Sequence, residues 1–301
     1  MLDVSSILRM YRNRILTMVE LKRTNYIKIQ DGCSQRCGYC VVREFRGPSV
    51  SESYQDIYKD VKFCVEVHNM QLLQLEGVNS IEYNDPEVGD LIGLCQRLLK
   101  DFPNTYFMVG QVNPFDENKF KRLVDLIESE ERLLNTCLVP IQSASDSALK
   151  RMHRPHTREK LRELLNYAKE RGVEFTVEII PGFPGETEEE FMDTYNFLDE
   201  ISPVAFYTHA FSSRPGTEAA SLPNQIPEEV IVERMEKYKE LQKKISTRFK
   251  QSLNGKEIMV ITEPNHGSRT IHNISLKGVM NQHISKATVW YKNNELEIDS
   301  K

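Results

Sequence analysis

Three cysteines crowd into eight positions of this 301-residue chain. They are Cys33, Cys37 and Cys40, in the run Asp31-Gly32-Cys33-Ser34-Gln35-Arg36-Cys37-Gly38-Tyr39-Cys40. Thiolates are the soft ligands that iron–sulfur clusters take. Three of them on one loop can hold three irons of a cubane and leave the fourth iron open to a chelating substrate. Zinc is the competing reading, but a structural zinc site wants four ligands, usually as two separated pairs. No second Cys/His pair stands at a suitable spacing. Cys64, Cys95 and Cys137 lie far apart in apolar stretches, where a free cysteine ordinarily serves as a small core residue.

Other residues suited to binding stand further along. The run Ile179-Ile180-Pro181-Gly182-Phe183-Pro184-Gly185-Glu186-Thr187 leads from a strand into a helix. Its glycines let the backbone approach a ligand closely, and Thr187 with Glu190 makes a capping box. Gln142, Ser143 and Ser145 follow another strand and supply polar groups at the same end, or else a simple turn. Glu76 and Glu178 are carboxylates at or near strand ends, and Arg214 follows the sixth strand.

The elements that must position these residues alternate. Strand-like apolar runs are read at 26–30, 71–75, 106–110, 137–142, 175–180 and 204–210, with amphipathic stretches near 53–68, 87–101, 116–130, 157–171 and 187–201. Leu161, Leu164, Leu165 and Ala168 show the helical period; Thr157 and Gly172 mark a start and a stop. Six strand–helix units imply a parallel sheet with right-handed crossovers. Eight would close a barrel, so the expected α/β fold is a partial (β/α)6 barrel, with its site at the carboxyl ends of the strands. A long helix is expected from 227 to about 252, then short β-like runs at 257–262, 271–279 and 287–291. The expected division is a basic helical leader at 1–24, the partial barrel at 25–250 and a small β-rich extension at 251–301.

Composition is that of an ordinary globular chain, 40% apolar and 28% charged. No apolar run approaches the roughly 20 residues that cross a bilayer. The N-terminal stretch lacks the apolar core and cleavage site of a secretory signal. A cytoplasmic, reducing setting is therefore expected, where clustered cysteines point to metal before disulfides. The net charge of −5 is unevenly spread: residues 241–292 hold nine Lys/Arg against Glu257 and Glu263. That basic stretch points to an anionic partner, or to solvated surface lysines.

Four segments in order carry a closer likeness: 27–47 (IKIQDGCSQRCGYCVVREFRG), 140–154 (PIQSASDSALKRMHR), 180–191 (IPGFPGETEEEF) and 213–219 (SRPGTEA). Together they resemble the radical S-adenosylmethionine (SAM) methylthiotransferases, over about residues 24–261. The resemblance implies a [4Fe–4S] cluster on Cys33, Cys37 and Cys40, with the SAM amino and carboxylate groups on the open iron. One electron from an external donor then cleaves SAM to methionine and a 5′-deoxyadenosyl radical. It implies SAM contacts from Gln142, Ser143, Ser145, Glu178 and the turn holding Pro181, Gly182 and Gly185. Glu76 stands where the family has a Gly-Gln pair, as a ligand of the SAM amino group or a plain strand-end carboxylate. Arg214 is a candidate for SAM, for an anionic substrate or for a structural ion pair. The implied substrate is a tRNA adenosine or a protein side chain. Family members carry a further N-terminal domain whose three cysteines bind a sulfur-supplying cluster, whereas no cysteine precedes Cys33. Sulfur insertion is thus expected to need a separate sulfur-donor domain or protein. The same residues also fit a single-cluster radical SAM enzyme working on another peptide or small molecule, and a non-catalytic cluster-binding relative.

Overall fold

The computed structural model describes residues 25–263, 267–270, 275–277 and 284–298. The expected leader helix at 1–24 and most of the expected strand at 271–279 lie outside them. Six parallel strands follow the chain in order: β1 (Tyr26–Asp31), β2 (Leu72–Gly77), β3 (Tyr106–Val109), β4 (Thr136–Gln142), β5 (Glu174–Ile179) and β6 (Ala205–Thr208). β1, β2 and β3 pair side by side, as do β4, β5 and β6, with a shift of register near the end of β1 and of β4. Parallel bridges Phe107↔Leu133 and Gln111↔Leu138 join the two groups into one curved, open barrel. Alternation explains how each strand serves it. On β5, Phe175, Val177 and Ile179 are buried, while Thr176 and Glu178 on the other face are only half-buried.

Helices α1 (Tyr54–His68), α2 (Leu91–Asp101), α3 (Glu117–Ser129), α4 (Arg158–Glu170) and α5 (Glu188–Ile201) make the crossovers, and α6 (Glu228–Ser252) follows β6. Their starts are written in short polar side chains. Ser53, Asp90, Asp116 and Thr157 each accept a first-turn N–H, and Thr187 with Glu190 forms a complete capping box. Leu161, Leu164, Leu165 and Ala168 are fully buried, as their spacing predicts. Helix α6 buries Arg234, Tyr238, Leu241 and Ile245 along one stripe, with Tyr238 edge-on to Phe191 at 5.0 Å.

Helix α2 starts later than its apolar pattern suggests. Asn84–Asp85 and Gly89–Asp90 form a small antiparallel ladder, and the Asp85 carboxylate accepts the N–H groups of Glu87 (2.9 Å) and Val88 (3.1 Å). Two short helices, Val42–Arg46 and Asp146–Arg151, are too brief to show a periodicity.

The last described strands are antiparallel: β7 (Lys256–Glu263), β8 (Gly267–Thr270), β9 (Ser275–Leu276), β10 (Ile284–Lys292) and β11 (Glu295–Ile298), in the order β9-β8-β7-β10-β11. Val260, Val289, Leu296 and Ile298 form their small core with Leu253. Ile261 instead joins Leu72, Met108 and Leu134, so this sheet packs on the floor of the barrel. Some basic residues expected to face an anion are already paired: Lys244 and Arg248 with Asp199, and Lys277 with Glu295. Tyr291 packs on the small core and its hydroxyl donates to Asn294 Oδ1 at 2.8 Å. No helix among the described residues is long and apolar enough to cross a membrane.

Candidate cluster and cofactor site

The cysteine loop leaves β1 through Gly32, whose φ is +68°. A side chain there would place Cβ 2.2 Å from the Pro48 carbonyl oxygen, so only glycine allows the chain to pass. Backbone bonds fix the rest: Cys33 N–H to the Gly47 oxygen (3.1 Å), Gly38 N–H to the Met152 oxygen (3.1 Å) and Ala219 N–H to the Gly38 oxygen (2.9 Å). The Glu82 carboxylate accepts Ser34 N–H at 3.0 Å and the Gln35 amide at 2.9 Å. All three cysteines are free and half-buried, and they line one cleft of about 360 Å³, a size suited to a small ligand.

Burial pushes the Cys33 thiol up, helped by the Glu82 carboxylate, and also pushes up Cys40. A cubane takes each thiolate on a different iron, so a triad spread over one cleft suits a cluster. Cys64, Cys95 and Cys137 are buried apart from the loop, and burial lifts Cys95 and Cys137 to about 12.

Behind the loop runs a buried polar chain that the sequence does not announce. Gln30 donates to the Gly32 oxygen (2.8 Å) and accepts Asn79 N–H (3.0 Å). Asn79 Oδ1 accepts from Asn113 (3.1 Å), and Asn113 Oδ1 accepts from Arg154 Nη2 (3.0 Å). Arg154 also donates to the Pro140 oxygen, and its Nη1 points at Cys37 Sγ from 3.7 Å. Phe115 lies beneath the guanidinium (4.3 Å to the ring centroid) and stacks with His156. Burial and the Arg154 charge lower His156 to about 3, so it stays neutral at physiological pH.

The expected SAM-binding residues fall into three groups. Glu76 and Glu178 sit together at the barrel mouth. Gln74 donates to Glu76, Gln111 donates to Glu178 (2.9 Å), and His209 stands 3.6 Å from Glu178. A Cβ on Gly110 would strike the Glu76 carboxylate at 2.4 Å, so this glycine makes its berth. Gln142 ends β4 with φ +67°, where the register with β5 shifts; its Oε1 is buried with no partner among the described residues. A buried amide oxygen without a donor calls for a partner from outside the chain, a water or a ligand.

The second group is satisfied internally. Ser143 Oγ meets Thr194 Oγ1 at 3.1 Å and accepts Ser145 N–H, while Ser145 Oγ meets Ser147. In the turn, a Cβ on Gly182 (φ +80°) would lie 2.5 Å from Ile231, so its space is filled by α6. Its N–H donates to Glu186 at 2.8 Å. Gly185 (φ +79°) donates to the Asn224 oxygen, and the Pro181 oxygen accepts Phe211 N–H. The glycine demand of this turn therefore comes from its left-handed backbone at both positions and, at Gly182, from packing as well. The third group is Arg214, which is exposed and has no side-chain partner among the described residues.

Burial raises the Glu76 carboxyl above its usual range, and the Glu178 charge adds to it against the Gln74 hydrogen bond. Glu76 thus binds its proton more tightly in the fold than in the unfolded chain. The associated stability is present below the unfolded value and is lost as pH rises through the folded one. Glu76→Gln should be more stable than wild type at pH 7.5, with the gap closing as pH falls toward 4.5. Urea unfolding at several pH values measures this; a gap that does not change with pH would count against it.

A parallel partial barrel with three free thiols on the loop after its first strand defines a class of fold. The model of the radical SAM superfamily matches residues 27–198, more than half of the chain. The chain belongs to that superfamily, enzymes whose cofactors are a [4Fe–4S] cluster and SAM. Among curated relatives is the tRNA-2-methylthio-N(6)-dimethylallyladenosine synthase of Tropheryma whipplei, 28% identical over 86% of this chain and 56% of its own length. The protein of the same name from Oceanobacillus iheyensis is 32% identical over 79% of this chain and 46% of its own length. The chain spans about half the length of these relatives. Solved structures share the fold. Coproporphyrinogen III oxidase (HemN) of Escherichia coli superposes with a TM-score of 0.53 at 17% identity, over 73% of this chain and 52% of its own. The radical SAM methyltransferase TsrM of Kitasatospora setae gives 0.53 at 15%, over 65% and 35%.

Proposed function

We propose that this chain is a radical SAM enzyme of the methylthiotransferase type acting on a tRNA adenosine. Cys33, Cys37 and Cys40 hold its cluster. The observation that carries the reading is the set of three half-buried thiols around one cleft on the loop after β1, closed by His153 and the segment 216–218. When bound, the cluster supplies the electron that cleaves SAM to methionine and a 5′-deoxyadenosyl radical. The chain's own residues hold and orient. Glu82 and Gln30 fix the cysteine loop; Glu76, Glu178 and the unpartnered Gln142 amide take the polar parts of SAM; Arg214 faces an anionic group of SAM or substrate.

The division near residue 250 belongs to this reading. Residues 25–250 carry the radical chemistry, and 251–301 with the exposed Lys243 contact RNA. A cytoplasmic location goes with it. Sulfur comes from a separate donor domain or protein, and the electron from an external donor. The test is anaerobic reconstitution, dithionite reduction and assay of 5′-deoxyadenosine, then addition of tRNA bearing dimethylallyladenosine. Slow 5′-deoxyadenosine formation is expected without substrate, and no methylthiolated nucleoside from this chain alone. A chain that holds iron but leaves SAM intact overturns the enzymatic reading. Methylthiolated product without a partner overturns the separate sulfur source.

A further inference from the structure

From the geometry we infer that Arg154 is a positioning residue for the cluster: it donates an N–H···S hydrogen bond to Cys37 and raises the cluster's reduction potential. The inference rests on the reading that the cysteine triad holds the cluster. Three observations carry it. Arg154 is only 7% exposed, and a charge so buried is costly unless something opposite faces it. Among the described residues no carboxylate pairs with it: its hydrogen-bonded partners are the neutral Asn113 amide and the Pro140 carbonyl, and beneath it lies the Phe115 ring. The group that its Nη1 addresses is Cys37 Sγ, at 3.7 Å, a sulfur that carries negative charge once it ligates a metal.

The third observation is the way Arg154 is held. One hydrogen-bonded chain runs from the Gly32 oxygen, beside Cys33, through Gln30, Asn79 and Asn113 to Arg154 and so to Cys37. It passes the carboxyl ends of β1 and β2 and the loop after β3, and it returns to the loop from which it began. Nη2 is therefore held by two acceptors with the Phe115 ring beneath, while Nε finds no partner among the described residues. Reduction adds one electron to the cluster and hence one negative charge. A buried cation and an N–H donor on a cluster sulfur favour the more negative state, and such hydrogen bonds are among the factors that set cluster potentials. Arg154 makes the cluster easier to reduce.

The test compares midpoint potentials of reconstituted wild type, Arg154→Met, Arg154→Lys and Asn113→Ala, each checked for iron content and by far-UV circular dichroism. Potentiometric titration followed by visible absorption and electron paramagnetic resonance needs no SAM and no turnover. Arg154→Met should lower the reduction equilibrium constant about tenfold, which is about 59 mV for one electron. Arg154→Lys keeps the charge but not the planar fork, and should shift less. Asn113→Ala removes one anchor and should shift the potential slightly in the same direction. An unchanged potential in Arg154→Met with its cluster intact overturns the inference. Should Arg154→Met not fold, unchanged potentials in both other variants overturn it. A wild-type chain that takes up no iron defeats the functional reading and this inference with it. Wild type and variants with full clusters of equal potential defeat this inference alone.

Discussion

Replacing Cys33, Cys37 and Cys40 together by alanine should abolish the iron–sulfur absorption of the reconstituted protein and all 5′-deoxyadenosine formation. The wild-type chain should hold about four irons, as single cubane sites do. The expectation follows from the separation of the two sets of cysteines. The loop triad lines a cleft, half-exposed, whereas Cys64, Cys95 and Cys137 are buried singly among core side chains. Metal ligation needs a deprotonated sulfur, and burial holds Cys95 and Cys137 protonated far above neutral pH. Alanine at those three core positions should leave iron content unchanged at a modest cost in stability. About eight irons per chain, or iron retained by the loop triple variant, would refute the assignment.

The second large effect is expected at the buried ion pair that braces the turn after β5. Arg234 Nη1 lies 2.7 Å from Glu186 Oε2 and also donates to the Glu186 carbonyl, while that carboxylate accepts Gly182 N–H. Both side chains are almost wholly buried. Burial outweighs these partners and holds the Glu186 carboxyl above its usual range. Arg234→Met leaves the carboxylate in the interior without its counter-ion and should cost about 3–5 kcal/mol, whereas removing both charges with Arg234→Met and Glu186→Gln should cost much less. A double-mutant cycle by denaturant unfolding measures the coupling. The sign with pH follows from the raised carboxyl. Without its counter-ion, Glu186 binds a proton still more tightly in the fold, so the single variant should recover stability as pH falls through that value. A coupling near zero, or a deficit that does not change with pH, would show that the turn does not depend on the pair.

Much of this architecture is written locally, and that part is legible. Each strand is a short apolar run, each crossover helix has its stripe and a capping side chain, and the triad falls within eight consecutive positions. Thr187 and Glu190 predict a capping box because the geometry needs only three residues of spacing. What escapes is assembled from distant pieces. Gln30, Asn79, Asn113 and Arg154 share no pattern, and only the closing of the barrel brings them together. The glycines of the turn show a related difficulty. Sequence marks Gly182 as a place without a side chain, but only the packing of α6 shows that Ile231 fills the gap. Among the polar residues after β4, Ser143 and Ser145 look as suitable for a ligand as Gln142 until their hydrogen bonds are traced. The two serines then prove occupied and the Gln142 oxygen does not.

The packing of Ile261 against Leu72, Met108 and Leu134 has a consequence for the nascent chain. The floor of the barrel is laid down early in synthesis, with β2 and β3, but the residue that covers it emerges well over a hundred positions later. Until β7 leaves the ribosome, an otherwise formed barrel exposes apolar side chains at its base. Partly folded chains with such surfaces are prone to associate. Arrest or premature termination between α6 and β7 therefore leaves that base uncovered and open to association.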